Sequence, residues 1–361
     1  MKKIVSYLVL VALLLTLIPI SLAGCATAPP ATSTQTPTQT QTQTPIPKTT
    51  IRFSYALPEK HYISYQFQDW ADLAMKKSNG SLEVKMYPAA QLYKDPDLYG
   101  AIMSGGIEAG HLYIFYDANY VPEANAWITW YLFDSTKEAY DVGLKSSLRT
   151  KVDTEMEKKG IKQLGWIVWN NESNCIITSK PVKVPADLKG MTMRAAGPED
   201  AAWYQKWGAT PSFISGADLY MGLQRGVIDG TIGGVPTSVE RKLYEVAPYT
   251  ILAPFYCPQA SILGINKSFF DKLAPEQQKA LVDAAKEVEG KAYDAAMKNL
   301  SEIMKRGQDL GLKYYTPTPE ELKLWTAGKD EIRQQVYKDK PQVLTEINKL
   351  EEQLAAYRQK K

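Results

Sequence analysis

Three cysteines and two histidines in 361 residues are few for a zinc protein or a thiol or imidazole catalyst. No Walker loop, G-x-G-x-x-G, G-x-S-x-G or H-E-x-x-H occurs in the chain, which leaves phosphate cradles, nucleophile elbows and zincin chemistry without support. His61 and His111 stand apart from any local carboxylate or nucleophile, so a structural or surface role is the expectation for each. Carboxylates are plentiful but scattered, and no acid pair stands out. No repeat of 20 to 50 residues appears, which removes solenoids and propellers. Charge of one sign is also missing. Residues 1–50 contain Lys2, Lys3 and Lys48 and no acid, so of 42 basic and 39 acidic side chains, 39 of each fall in residues 51–361. A neutral body without a basic stripe argues against nucleic acid as a partner. No metal, cofactor or catalytic residue is expected.

What is present begins at the N-terminus. Lys2 and Lys3 precede an apolar run from Ile4 to Ile20, and Leu22-Ala23-Gly24-Cys25 follows. That pattern is a secretion signal ending in small residues. The last four residues resemble the bacterial lipobox, which implies a signal peptide over 1–24 and lipidation of Cys25. The alternative is a retained anchor helix with a buried Cys. Residues 26–50 contain ten Thr, five Pro and four Gln, with Lys48 as their only charge. Such a composition builds no core, so 25–50 reads as a tether that averages about 28 Å as a coil.

The remaining chain exceeds the length at which one core keeps growing, so two lobes are expected. Strand and helix patterns alternate. Ile51 to Tyr55 alternates as a strand, Tyr62 to Lys77 has helical spacing, and Leu82 to Met86 alternates again. Asp95-Pro96 reads as N-cap and first-turn Pro of a helix ending at Gly105. Ser135 to Glu138 opens a helix expected to reach Lys159, and strands follow at 161–168 and 175–178. A strand at 227–229, a helix from Pro275 to Leu310 and a final helix from Thr318 to Lys361 complete the reading. The fold class is α/β, with a mostly parallel sheet covered by helices.

The informative segment is Asp187-Leu188-Lys189-Gly190-Met191-Thr192-Met193-Arg194, followed by Gly208 to Pro211 and by Asp218 to Gly230. It resembles the signature region of the DctP-type substrate-binding proteins of TRAP (tripartite ATP-independent periplasmic) transporters. Ala56-Leu57-Pro58, Gly80 to Tyr87, Gln91-Leu92, Gly106 to Gly110 and Asn266 to Gln278 are similar to other parts of that family's pattern. The resemblance implies a two-lobe periplasmic-binding-protein-like fold with crossing hinge strands and long C-terminal helices. Lobe I would take 51–171 and 260–298, and lobe II 172–259 and 299–361. It implies an extracytoplasmic, membrane-anchored receptor that binds an organic acid between the lobes and delivers it to membrane permease subunits.

By the same resemblance Arg194 fixes the ligand carboxylate, a use that suits its planar, permanently charged fork. Departures from the pattern matter as well. Asp229-Gly230 is followed by Thr231-Ile232-Gly233-Gly234, so Gly233 stands where relatives place a ligand-contacting Asn. Ile232 replaces the Glu of metal-using relatives, and Asn174 replaces the second Arg of sialic-acid binders. Two glycines open space or expose backbone N–H groups to an anion. Tyr113, Tyr116, Trp127, Trp130, Trp166 and Trp169 lie near cleft-lining segments; core packing is the competing role for each. The expected ligand set is Arg194, Asn174, Trp169, Asn170, Gly233, Gly234, Tyr116, Asp218 and Trp130. The ligand is expected to be a carboxylate with an apolar or aromatic body. The resemblance also brings Cys175 and Cys257 near neighbouring crossing strands, where they form a disulfide or remain two buried thiols. A receptor of an ATP-driven importer and a secreted hydrolase are the competing functions.

Overall fold

The computed structural model describes residues 46–170, 172–253 and 258–360. The expected signal peptide, Cys25, most of the tether and Cys257 lie outside the described residues.

Two mixed sheets carry the body. The first contains β1 (Thr49–Ser54), β2 (Leu82–Tyr87), β3 (Ala109–Tyr113), β4 (Ile161–Val168) and, from much later in the chain, β10 (Ala260–Asn266). Its order is β2-β1-β3-β10-β4. β1 runs parallel to β2 and β3, whereas β10 is antiparallel to both its neighbours. The second sheet has the order β11-β9-β5-β8-β6-β7. It is built from β5 (Asn174–Thr178), β6 (Thr192–Arg194), β7 (Thr210–Ser212), β8 (Gly230–Gly234), β9 (Tyr249–Leu252) and β11 (Lys313–Tyr315). β5 is antiparallel to β8 and β9. The antiparallel strands are those next to the crossings between sheets, and they make each sheet mixed instead of mostly parallel.

The chain passes between the sheets from β4 to β5 and back from β9 to β10. The Trp169 N–H donates to the Gln259 carbonyl at 2.7 Å, tying these two passages side by side. A third link is the helix Pro275–Asp309, about 52 Å long at 1.5 Å per residue. Ala280, Leu281, Ala284, Ala285, Val288, Ala292 and Ala296 form its buried stripe, at the three- and four-residue spacing of an amphipathic helix. It lies against the helix Tyr62–Lys77 and β4, and its last turns reach the helix Val235–Glu240. Ile303 belongs to the second apolar core, with Ile177 and Val239.

Several elements differ from the sequence reading for local reasons. β1 begins at Thr49, inside the expected tether, because Thr49 and Thr50 pair with Leu82 and Glu83. The helix expected from Ser135 to Lys159 is divided into Thr136–Asp141 and Ser147–Lys158. Gly143 lies between them, where an added Cβ would stand 2.6 Å from the Trp127 ring. The strand expected at 227–229 forms three residues later, on the glycine pair. The final helix is three: Pro319–Thr326, Lys329–Tyr337 and Pro341–Arg358. Gly328, at φ +83°, and Pro341 separate them; one supplies a left-handed turn and the other a break in the helical ladder.

The grouping of 299–361 with the second lobe needs correction for the last helix. Pro341–Arg358 packs against Pro122–Ala126, and Arg358 Nη2 donates to Glu138 at 2.7 Å. Tyr337 donates to Glu199 at 2.8 Å, so this arm braces residues of both groups.

Candidate functional site

Arg194 ends β6, and the motif around it explains its position. Gly190, at φ +80°, makes the left-handed turn into the strand. Asp229 then locks the register: Thr192 N–H donates to its carboxylate at 2.8 Å, while Asp229 N–H donates to the Thr192 carbonyl at 2.6 Å. Arg194 thus emerges at the carboxyl end of a strand, beside parallel β7 and β8, the usual place for a ligand crevice in such sheets. Its side chain is 7% exposed. Nε donates to the Ile214 carbonyl at 3.1 Å, which fixes the guanidinium plane. Among the described residues no carboxylate lies within ion-pair distance of it.

Arg194 faces a cavity of about 70 Å³ between the sheets. Leu57, Tyr113, Phe115 and Trp169 wall it on the side of the first sheet, and Leu219, Ile232 and Gly233 on the side of the second. Gly233 has an ordinary 3.5 Å contact as the nearest neighbour of an added Cβ, so its bareness leaves room. Trp169 is held from behind: its indole N–H donates to Ser261 Oγ at 2.7 Å, and that hydroxyl lies 2.8 Å from His111 Nε2. The lobes meet across the mouth through Lys94 and Asp218 at 3.0 Å, and through Arg241 Nη2 donating to the Ala56 carbonyl at 3.4 Å.

Four polar residues of the cavity, Asp95, Thr237, Arg241 and Gln259, are not among the ligand residues expected from the sequence. Arg241 caps the helix Val235–Glu240 and turns its guanidinium into the cleft, and Gln259 precedes β10. Asp95 was read as an N-cap; the cap is Lys94, and Asp95 is the first helical residue, its carboxylate 3% exposed and facing the cavity. Burial pushes its pKa up to about 6, against the opposing charges of Arg241 and Arg194. The signal that could have exposed Asp95 is its place next to Gln91-Leu92; Arg241 carried none.

The other expected ligand residues are dispersed. Tyr116 neighbours Arg194, whose charge partly offsets the upward effect of burial on the phenol. Asp218 sits at the mouth in its pair with Lys94. Asn174 pairs with Gly234 between β5 and β8. Asn170 stays in the crossing, with Nδ2 3.5 Å from the Ala296 carbonyl and Oδ1 accepting from Ser173. Trp130 is fully buried away from the cavity, stacked on Trp203 and donating to Asp200 at 2.9 Å. It is a core residue because the C-terminal arm covers it. Cys175 is a free thiol among the described residues, buried in the second apolar core, and Cys257, the partner weighed for it, lies outside them.

Both histidines are structural and buried. His61 Nδ1 accepts from Ile63 N–H at 3.2 Å and caps the helix Tyr62–Lys77. Burial, with a smaller effect from Arg241, lowers its pKa to about 3. A folded value below the unfolded one near 6.5 means its contribution is complete above pH 6.5 and lost as pH falls toward 3, by about 1.4 kcal/mol per pH unit. His61→Asn keeps a capping acceptor and removes that titration. Urea unfolding at pH 6.5 and pH 5 should show a smaller acid loss in the variant; equal losses would contradict the assignment.

Residues 53–340 match the family model of bacterial extracellular solute-binding protein, family 7. The chain is 26% identical over 296 residues to the 2,3-diketo-L-gulonate-binding periplasmic protein YiaO of Escherichia coli, covering 81% of this chain and 88% of that one. It is 27% identical over 259 residues to the C4-dicarboxylate-binding periplasmic protein DctP of Rhodobacter capsulatus, covering 70% and 76%. Among solved structures, the sugar acid binding protein DctPAm of Advenella mimigardefordensis with galactonate superposes with a TM-score of 0.80 at 20% identity, covering 86% of this chain and 99% of that one. A TRAP solute-binding protein of Haemophilus influenzae with L-gulonate gives 0.78 at 24% identity, covering 85% and 100%. The two-sheet architecture, the cleft between its halves and the match over most of the length together make this chain a member of extracellular solute-binding protein family 7, the substrate receptors of TRAP transporters.

Proposed function

We propose that this receptor captures an organic carboxylate with an apolar or aromatic body, holds it between its lobes through Arg194, and presents the closed form to its membrane permease. The observation that carries this is a guanidinium 7% exposed, without an ion-pair partner among the described residues, at the end of an apolar-walled cavity. A desolvated fork of this kind meets a carboxylate bidentately, and Tyr113, Phe115 and Trp169 supply flat apolar surface. The relatives' ligands named above are sugar acids and dicarboxylates; the wall residues favour a less hydroxylated body here. Attachment of the chain to a membrane through a lipidated Cys25 belongs to the same proposal, as does closure by rotation about the two crossings. Family membership favours this reading over the receptor of an ATP-driven importer, and its function is transport reception, not catalysis.

A carboxylate thermal-shift screen tests the ligand class. At a hundredfold excess over Kd a ligand adds about 2.7 kcal/mol, which for a chain of this size raises Tm by roughly 4 °C. Aromatic and aliphatic monocarboxylates should produce such shifts. Shifts with small hydroxy or keto acids alone would overturn the apolar-body reading.

A further inference from the structure

The cavity holds more charge than a single carboxylate anchor requires. Arg194 and Arg241 both line it, and neither has a carboxylate within 4 Å among the described residues. Among the described residues the only acid in its wall is Asp95. We infer that Asp95 serves as the internal counter-anion of Arg241, and that the pocket therefore selects monocarboxylates and rejects dicarboxylates. This rests on the reading of Arg194 as carboxylate anchor.

The geometry carries the argument. Asp95 and Arg241 approach the same bare position: a Cβ on Gly216 would lie 3.6 Å from Asp95 Oδ2 and 3.8 Å from Arg241 Nη2. The two groups thus flank a gap that glycine leaves open. Asp95 Oδ1 is buried without a hydrogen-bond partner, and so is Gln259 Oε1. Buried acceptors left unpaired call for donors from a ligand. Two guanidiniums and one carboxylate give the site a net charge of +1, which one ligand carboxylate at Arg194 neutralises. A second ligand carboxylate would bring another anion toward Asp95 and find Arg241 already balanced. A hydroxyl fits the gap, because it donates to Asp95 and accepts from Arg241; an ammonium would face Arg241. The place of Asp95 in the first turn of the helix Asp95–Ser104 also favours its anionic form.

Matched pairs test the inference by calorimetry on the full-length protein at pH 7.5: 4-(hydroxymethyl)benzoate against terephthalate, and 4-hydroxybutanoate against succinate. Each pair exchanges a distal hydroxymethyl group for a carboxylate. In the wild type the monocarboxylate of a pair should bind at least tenfold more tightly than its partner. Asp95→Asn should reduce that ratio at least tenfold, and Arg241→Gln, which leaves Asp95 uncompensated, should raise it. Equal or tighter binding of the dicarboxylates by the wild type would overturn the inference, as would ratios that stay within threefold in both variants. If Asp95→Asn fails to fold, Arg241→Gln carries the same test. Arg194→Lys separates the two levels: a loss of monocarboxylate affinity there with ratios unmoved elsewhere defeats the charge selection alone. Undiminished affinity in Arg194→Lys, or no binding of any of the four acids, defeats the anchor reading and the inference together.

Discussion

Replacing Arg194 by Ala is expected to weaken carboxylate binding by about 30-fold to several thousand-fold, the 2–5 kcal/mol typical of truncating one partner of a buried charge pair. Much of that loss is the cost of leaving the ligand's charge desolvated and unpaired. Arg194→Lys keeps the charge and loses the planar fork, so it should fall between wild type and Ala. The fold should survive both changes, because the side chain holds only light contacts to the protein among the described residues, Nε to the Ile214 carbonyl and a bond with the Tyr116 phenol, and its neighbours in β6 stay pinned by Asp229. Calorimetry with any ligand from the screen gives the affinity, and a far-UV melt gives the control. Wild-type affinity in Arg194→Ala would refute the anchor.

The second large effect is on stability. Trp130→Ala should cost about 3–5 kcal/mol, the range for emptying a buried aromatic site. Trp130 stacks on Trp203 at 5.7 Å, and Trp207 and Trp325 continue the cluster, with Trp207 edge-on to Trp325 at 4.9 Å. Its indole N–H donates to Asp200, and its backbone N–H donates to Glu199. Both carboxylates are buried, and Glu199 is pushed up to about 7 by that burial. The substitution therefore leaves a cavity and strips a donor from a buried acid. Trp130→Phe should lose less, since part of the ring remains. Denaturant unfolding reads the effect. Ligand affinity measured well below Tm should not follow it, and a loss of affinity without a loss of stability would return Trp130 to the cleft.

These two residues show what the sequence could and could not reveal. Arg194 was legible because its neighbours constrain it: Gly190 is needed for a left-handed turn and Asp229 for register, so a recognisable string surrounds the strand end. Trp130 was not, because an aromatic side chain in a cleft and one in a core have the same local pattern until the C-terminal arm is laid over it. Asp95 carried a misleading signal. A carboxylate before Pro at a helix start is most simply a cap, and only the second sheet, with Arg241 and Gly216, turns it into a buried charge. Arg241 is one of 42 basic residues, and nothing within its own helix marks it. The helices were legible in content but not in continuity. Gly143 and Gly328 interrupt apolar patterns that continue past them, and the need for each interruption lies in packing and turn geometry.

The unbroken helix Pro275–Asp309 has a mechanical consequence. A helix whose hydrogen-bond ladder spans both halves resists bending along its whole length. Its stripe of Ala and Val grips the first sheet, and Ile303 the second, so a change of the angle between halves must flex it. The joint therefore behaves as a leaf spring more than a loose pin. A change of that angle on ligand binding would have to be carried by curvature of the helix.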